Sequence, residues 1–274
     1  MNINYHNWRD YTECPKKFRL LHVEKVLPTV LENEYYTLYG KLVQRFFEFY
    51  CNIWRFKTPY LFKEVIQERM DKILEGMLLT RDVNWSVPGA VSKDQIVEQA
   101  TNDASVIMEG PTLNYFLATQ AEVSIEIKLS SGDLLNGRID FVHINVDKTC
   151  LIFDGKGTGT KGKNISRDQL LFYSLLYFLH SKQLPDYLGF FYWKLNEFEP
   201  VGFNLDLLNE FRARLSLDIK AMTSGMRREA TPSAKSCKHC PYLNICQEGL
   251  GAKGKRARKS KMDIEGDGLV VFGL

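Results

Sequence analysis

The chain has 274 residues, 45% of them hydrophobic, and a formal net charge of +3. That length supports one sizeable core, or a core with an added lobe, and no apolar run is long enough to span a bilayer. Lys253, Lys255, Arg256, Arg258, Lys259 and Lys261 crowd together near the end, leaving 30 basic against 33 acidic residues elsewhere. The folded body is therefore not broadly basic, and a nucleic-acid partner must be argued from local patches. The opening MNINYHNWRD lacks the regions of a signal peptide, which predicts a soluble cytoplasmic protein.

Residues 5–22 read as short helices broken near Cys14-Pro15. Residues 34–52 place Tyr35, Leu38, Tyr39, Leu42, Val43, Phe46, Phe47 and Tyr50 at helical spacing, and residues 61–79 repeat the pattern. Ser92 caps a further helix through about Met108, which Gly110-Pro111 stops. The period then changes. Residues 121–129, 134–146 and 149–156 read as three strands joined by tight turns, an antiparallel meander. A Gly/Lys/Thr-rich loop over 157–166 leads to an apolar helix over 167–181. Strands over 187–194 and 199–205 and a helix over 206–225 follow, before a cysteine-bearing segment, the basic run and an acidic–apolar tail.

The chemistry-bearing stretch is Gly137-Arg138-Ile139-Asp140 followed by Leu151-Ile152-Phe153-Asp154-Gly155-Lys156. Asp154 and Lys156 are two apart on a strand and share a face. A short turn makes Asp140 their neighbour on the preceding strand. Carboxylates hold hard cations such as magnesium, a held cation activates water and offsets charge at phosphorus, and a lysine can position the water or neutralise developing charge. The same residues also suit a blander role, as acids near turns and a solvated strand-end lysine. His143 lies three residues from Asp140 and faces the other side of its strand.

The ordered string GRIDFV, LIFDGKGT and QLLFY resembles the signature of the RecB-like branch of the PD-(D/E)XK nucleases. Asp140, Asp154, Lys156, Gln169 and Tyr173 stand where that family carries its aspartate, its D/E-x-K and its Q-x-x-x-Y. The resemblance implies an α/β fold, with a mixed central sheet flanked by helices and a helical insertion. It also implies a DNA substrate, magnesium or manganese held by Asp140 and Asp154, and contact of Gln169 and Tyr173 with the DNA backbone or the active site. Gln169 and Tyr173, at i and i+4, share a helix face.

One departure stands out. Gln44, in Gly40-Lys41-Leu42-Val43-Gln44, replaces the family's metal-binding histidine, and an amide is a poorer ligand than imidazole for manganese. Glu48 shares its face one turn later. Glu122 falls where related nucleases often carry an acid on the first strand, a position that also suits a solvent-facing edge residue.

Cys237-x2-Cys240-x5-Cys246 has metal-ligand spacing. Zinc closed by His239 and an iron–sulfur cluster closed by a fourth cysteine are the two options. Nucleases of the AddB type and CRISPR-associated exonucleases resemble this plan, with one cysteine in an N-terminal Cys-Pro segment and three near the C-terminus. That likeness implies a [4Fe–4S] cluster on Cys14, Cys237, Cys240 and Cys246. Cys51 and Cys150 sit in apolar contexts and read as core residues.

Lys161, Lys163 and Arg167 follow the acidic strand and suit DNA phosphates, or else form part of a solvated loop. These readings divide the chain into N-terminal helices with the first cysteine (1–52), a helical lobe without motifs (53–118), the nuclease core (119–230), the cluster segment (231–250) and a basic linker with an acidic–apolar tail (251–274). The tail suits either docking to a protein partner or a last strand. The function expected is a metal-dependent DNA exonuclease acting on single-stranded or frayed ends in recombination, repair or processing. A structure-specific endonuclease and a non-catalytic DNA-binding module are the alternatives.

Overall fold

The computed structural model describes residues 1–28, 34–58, 60–81, 83–87, 89–162, 166–225, 229–238 and 240–250. Lys163, His239, the basic run and the tail lie outside the described residues. In chain order the main elements are β1 (Asn2–Ile3), α1 (Tyr5–Glu13), α2 (Pro15–Phe18), α3 (Tyr35–Asn52), α4 (Lys63–Leu78), α5 (Lys93–Glu109) and α6 (Asn114–Leu117). There follow β2 (Thr119–Lys128), β3 (Leu134–Ile144), β4 (Cys150–Lys156), α7 (Arg167–Ser181), β5 (Tyr187–Tyr192), β6 (Glu197–Val201), α8 (Leu205–Ser224) and α9 (Ala234–Lys238). Two compact units emerge, one from Met1–Asn2 and Asn33–Arg214, the other from Ile3–Glu32 and Leu215–Leu274.

The first unit is an α/β layer structure on a mixed sheet ordered β1-β3-β4-β5-β6, with β2 pairing β3. β2, β3 and β4 form the antiparallel meander expected from their alternating apolar residues. β5 runs parallel to β4. A parallel neighbour needs a crossover, and α7 supplies it. β4 is buried from Cys150 through Asp154, the uninterrupted pattern of a strand covered on both faces. The strand expected over 187–194 ends at Tyr192, and the next begins earlier than expected, at Glu197. Asn196, at φ 49°, makes a left-handed turn between them, a conformation asparagine tolerates better than most residues.

The apolar stripe of α3 is fully buried through Leu38, Leu42, Val43, Phe46, Phe47 and Tyr50. Phe47 stacks on Trp193 with centroids 5.1 Å apart, and Phe141 stacks on its cross-strand neighbour Phe153 at 4.9 Å. α4 and α5 contribute Ile66, Met70, Leu74, Ala100, Ala104 and Ile107 to the same cluster. Ser92 caps α5 as expected, with Gln95 completing a capping box.

In the second unit the start and end of the chain are held by specific polar contacts. Trp8 Nε1 donates to Asp218 at 2.9 Å, Thr231 Oγ1 to the Glu13 carbonyl at 2.8 Å, and Tyr242 Oη to the Val26 carbonyl at 2.7 Å. α1 begins with a reciprocal Asn4–Asn7 capping box and ends at Cys14. Among the described residues, no helix is long and apolar enough to cross a membrane.

Gly155, between Asp154 and Lys156, leaves its missing side-chain space to the indole of Trp193, which a Cβ would strike. Gly155→Ala therefore overpacks the core. It is expected to destabilise the protein by about 1–3 kcal/mol in denaturant unfolding. Unchanged stability would show that Trp193 can move aside.

Candidate active site

Strand register brings three acids onto neighbouring strands. β3 and β4 pair Phe141 with Phe153, and one further step sets Asp140 opposite Asp154. β2 and β3 pair Ala121 with Phe141 and Val123 with Ile139, so Glu122 stands opposite Asp140. Cross-strand partners project from the same sheet face, and Glu122, Asp140 and Asp154 form a row across the sheet. Glu122 has φ 58°, a left-handed conformation that costs a non-glycine residue on the order of 1–3 kcal/mol and gathers at functional sites. Its side chain is 14% exposed. The structure thus turns Glu122 toward the other acids; it is not a solvent-facing edge residue.

Asp154 is 2% exposed and Asp140 9%. α7 lays Gln169 and Tyr173 over them. Gln169 Nε2 donates to Asp154 Oδ1 at 2.7 Å and to Tyr173 Oη at 3.1 Å, and Tyr173 Oη donates to Asp140 Oδ1 at 3.4 Å. Lys156 Nζ donates to Gln169 Oε1 at 3.3 Å and forms an ion pair with Asp154 Oδ2. Asp154 Oδ2 is buried and finds no hydrogen-bond donor besides this ion pair among the described residues. All five residues of the family-like signature therefore meet in one network.

On the other flank, α3 presents Gln44 and Glu48. Gln44 Nε2 donates to Glu122 Oε1 at 3.3 Å. Burial, a hydrogen bond to Glu122 and its charge push the Glu48 carboxyl up to about 8. Arg138 forms an ion pair with Glu122. Reading the sequence for acids alone passes over Arg138, although its two-residue spacing from Asp140 places both on one strand face. Of the basic loop residues, Lys161 is paired with Glu197 and Arg167 is exposed at the start of α7. His143 is buried away from the acids, bonded to Thr119 and Asn145.

Burial and the adjacent Asp154 hold Asp140 well above the usual carboxylate range. Two buried acids with one lysine between them fit a divalent cation, which would relieve the excess negative charge. As placed, no group of three or more His, Cys, Asp and Glu side chains among the described residues is arranged to hold a metal ion.

Cys14, Cys237, Cys240 and Cys246 line one cavity of the second unit, with Lys16, Lys17 and Tyr242. Successive tight turns carry the C-terminal three: Cys240 N–H donates to the Cys237 carbonyl, Leu243 N–H to Cys240 and Cys246 N–H to Leu243. Burial pushes the Cys240 thiol up, and neighbouring Cys14 and Cys237 add to the shift. Cys51 and Cys150 are buried in the first unit, as expected of core residues.

Glu48 and Asp140 hold protons in the folded chain that they release on unfolding. Without metal, stability should fall as pH rises from the ordinary glutamate range toward about 8. In EDTA, Tm at about pH 8 should lie below Tm at about pH 5.5, and Glu48→Gln should flatten the difference. A metal-free Tm that rises over this interval in wild type, by no less than in the variant, would overturn the assignment.

The sequence profile of the PD-(D/E)XK nuclease superfamily matches residues 3–247. No curated protein sequence matches the chain. Among solved structures, "Crystal structure of SSO0001" is similar at a TM-score of 0.42 and 12% identity, over 90% of this chain and 86% of that one. That likeness is too distant to bear on function. The family match spans nearly the whole chain and agrees with the mixed sheet flanked by helices: the chain belongs to the PD-(D/E)XK nuclease superfamily.

Proposed function

We propose that the protein is a magnesium- or manganese-dependent DNA exonuclease whose second unit carries a [4Fe–4S] cluster. The observation that carries the nuclease reading is the closed network of Asp140, Asp154, Lys156, Gln169 and Tyr173 on a superfamily fold.

Asp140 and Asp154 would hold the cation, with Glu122 beside them and Gln44 reaching the group through Glu122. A bound divalent cation supplies Lewis acidity at the phosphate and lowers the pKa of water. Lys156 stands beside Asp154, where its ammonium can hold the attacking water and offset charge developing on phosphate oxygens. Gln169 bonds both Asp154 and Lys156 and so holds their separation. Tyr173 fixes Asp140 from the same helix. Lys161, Lys163 and Arg167 would meet substrate phosphates on the approach from the loop.

The common cavity of four cysteines supports the cluster, since four thiolates are what such a cluster requires. The cluster would tie Cys14 to residues more than two hundred positions later, and closing so long a loop contributes on the order of several kcal/mol.

Asp154→Ala and Lys156→Ala should each lower cleavage of end-labelled DNA by at least about a hundredfold while leaving iron content unchanged. Wild-type rates from Asp154→Ala would remove the site assignment. Circularised DNA should resist the wild-type enzyme, and cutting it would point to an endonuclease.

Anaerobically purified protein should be brown, with about four irons and four sulfides per chain. Cys14→Ala should lose iron as completely as Cys240→Ala and show a lower Tm. One zinc per chain, no iron and tolerance of Cys14→Ala would identify a zinc site instead.

A further inference from the structure

The helices between positions 53 and 118 carry no motif, yet one of them walls an open groove of about 540 Å3 whose lining includes Glu48 and Glu122. α3 lines it with Arg45, Phe49 and Asn52, and α4 with Arg69, Lys72 and Gly76, each set spaced to lie on one helix face. The inner end is Glu48, Glu122 and Arg138, and Glu122 stands opposite Asp140 in the strand register. The lining carries more cations than acids: Arg45, Arg69, Lys72 and Arg138 against Glu48 and Glu122. Arg69 and Lys72 lie along α4, and Arg45 lies on α3 on the same face as Glu48.

The cations differ in how they are held. Arg69 lays its guanidinium over Phe49, 3.5 Å from the ring centroid, which fixes the charge against the groove floor. Among the described residues Lys72 pairs with Glu68 on its own helix, with 61% of its side chain exposed, and Arg45 is exposed. An exposed pair such as Lys72–Glu68 holds little free energy, so exchanging the carboxylate for a phosphate costs little. Phe49 and Ile73 leave apolar floor between the charges.

We propose that this groove binds the phosphate backbone of a DNA strand and leads it to Asp140 and Asp154. The proposal rests on the nuclease reading and adds a path for the substrate. Cations along a channel with an apolar floor suit a single strand, whose phosphates meet the charges while its bases meet Phe49 and Ile73.

The test is fluorescence anisotropy of a labelled single-stranded oligonucleotide with the full chain in EDTA, so that no cleavage occurs, across a salt series. Arg45→Glu/Lys72→Glu should weaken binding at low salt at least tenfold. It should also reduce the log–log salt slope by about 1.4, or roughly 0.7 for each lost phosphate contact. Lys128→Glu/Lys148→Glu makes the same change of net charge at exposed positions that do not line the groove and should keep the wild-type slope. All four are surface side chains, so Tm should stay at the wild-type value in both variants. If the groove pair keeps the wild-type slope, or falls only as far as the control pair, the groove is not the path, and the nuclease reading stands as long as wild type binds. If wild type binds no DNA even at low salt, both readings fall.

Discussion

Burying Asp140 and Asp154 side by side is the constraint on which the rest of the first unit turns. Two carboxylates in a desolvated site repel one another and lose their hydration, so the bare pair is unfavourable. The chain meets that cost in part from within. Lys156 neutralises one charge, and Gln169 and Tyr173 spread hydrogen bonds over both acids. What remains is an excess of negative charge shaped by three adjacent strands, where a hard divalent cation is the natural complement.

The framework is stiff where that arrangement demands it. Asp154 ends the buried stretch of β4, which is paired on both edges, so its carboxylate cannot retreat without disturbing the sheet. Gly155 admits the Trp193 indole beneath the strand, and Trp193 in turn stacks on Phe47 of α3. A Cβ at Gly157 would sit 2.7 Å from Gly40 Cα, so α3 approaches the end of β4 closely. That approach brings Gln44 and Glu48 to the flank of the acids. The left-handed backbone at Glu122 is then the local strain that completes the row.

The second unit obeys a different logic. It has few long elements, and its polar ties join residues far apart in sequence. Small assemblies of this kind gain much from a cross-link, and four free cysteines line one cavity there.

Local pattern in the sequence determined the meander, the crossover helix and the placing of Asp140, Asp154 and Lys156 on neighbouring strands, while Gln169 and Tyr173 are singled out by family resemblance. Strand alternation, helical spacing and short turns act between near neighbours, so they are legible without long-range information. Cys14 shares a cavity with Cys237, Cys240 and Cys246, a meeting that their separation in the chain does not by itself disclose. Tertiary structure alone decided the rest. Resemblance leaves Glu122 open between an acid of the site and a solvent-facing edge residue, and a left-handed backbone that no residue pattern announces sets it beside the acids. Glu48 is held near 8 by burial and by a carboxylate from another element. Arg45, Arg69 and Lys72 look like ordinary surface charges along two helices until packing sets α3 beside α4 and opens a groove toward the acids. Each of these depends on which distant elements meet, and that is settled by core packing over the whole unit, beyond the reach of any short stretch of sequence.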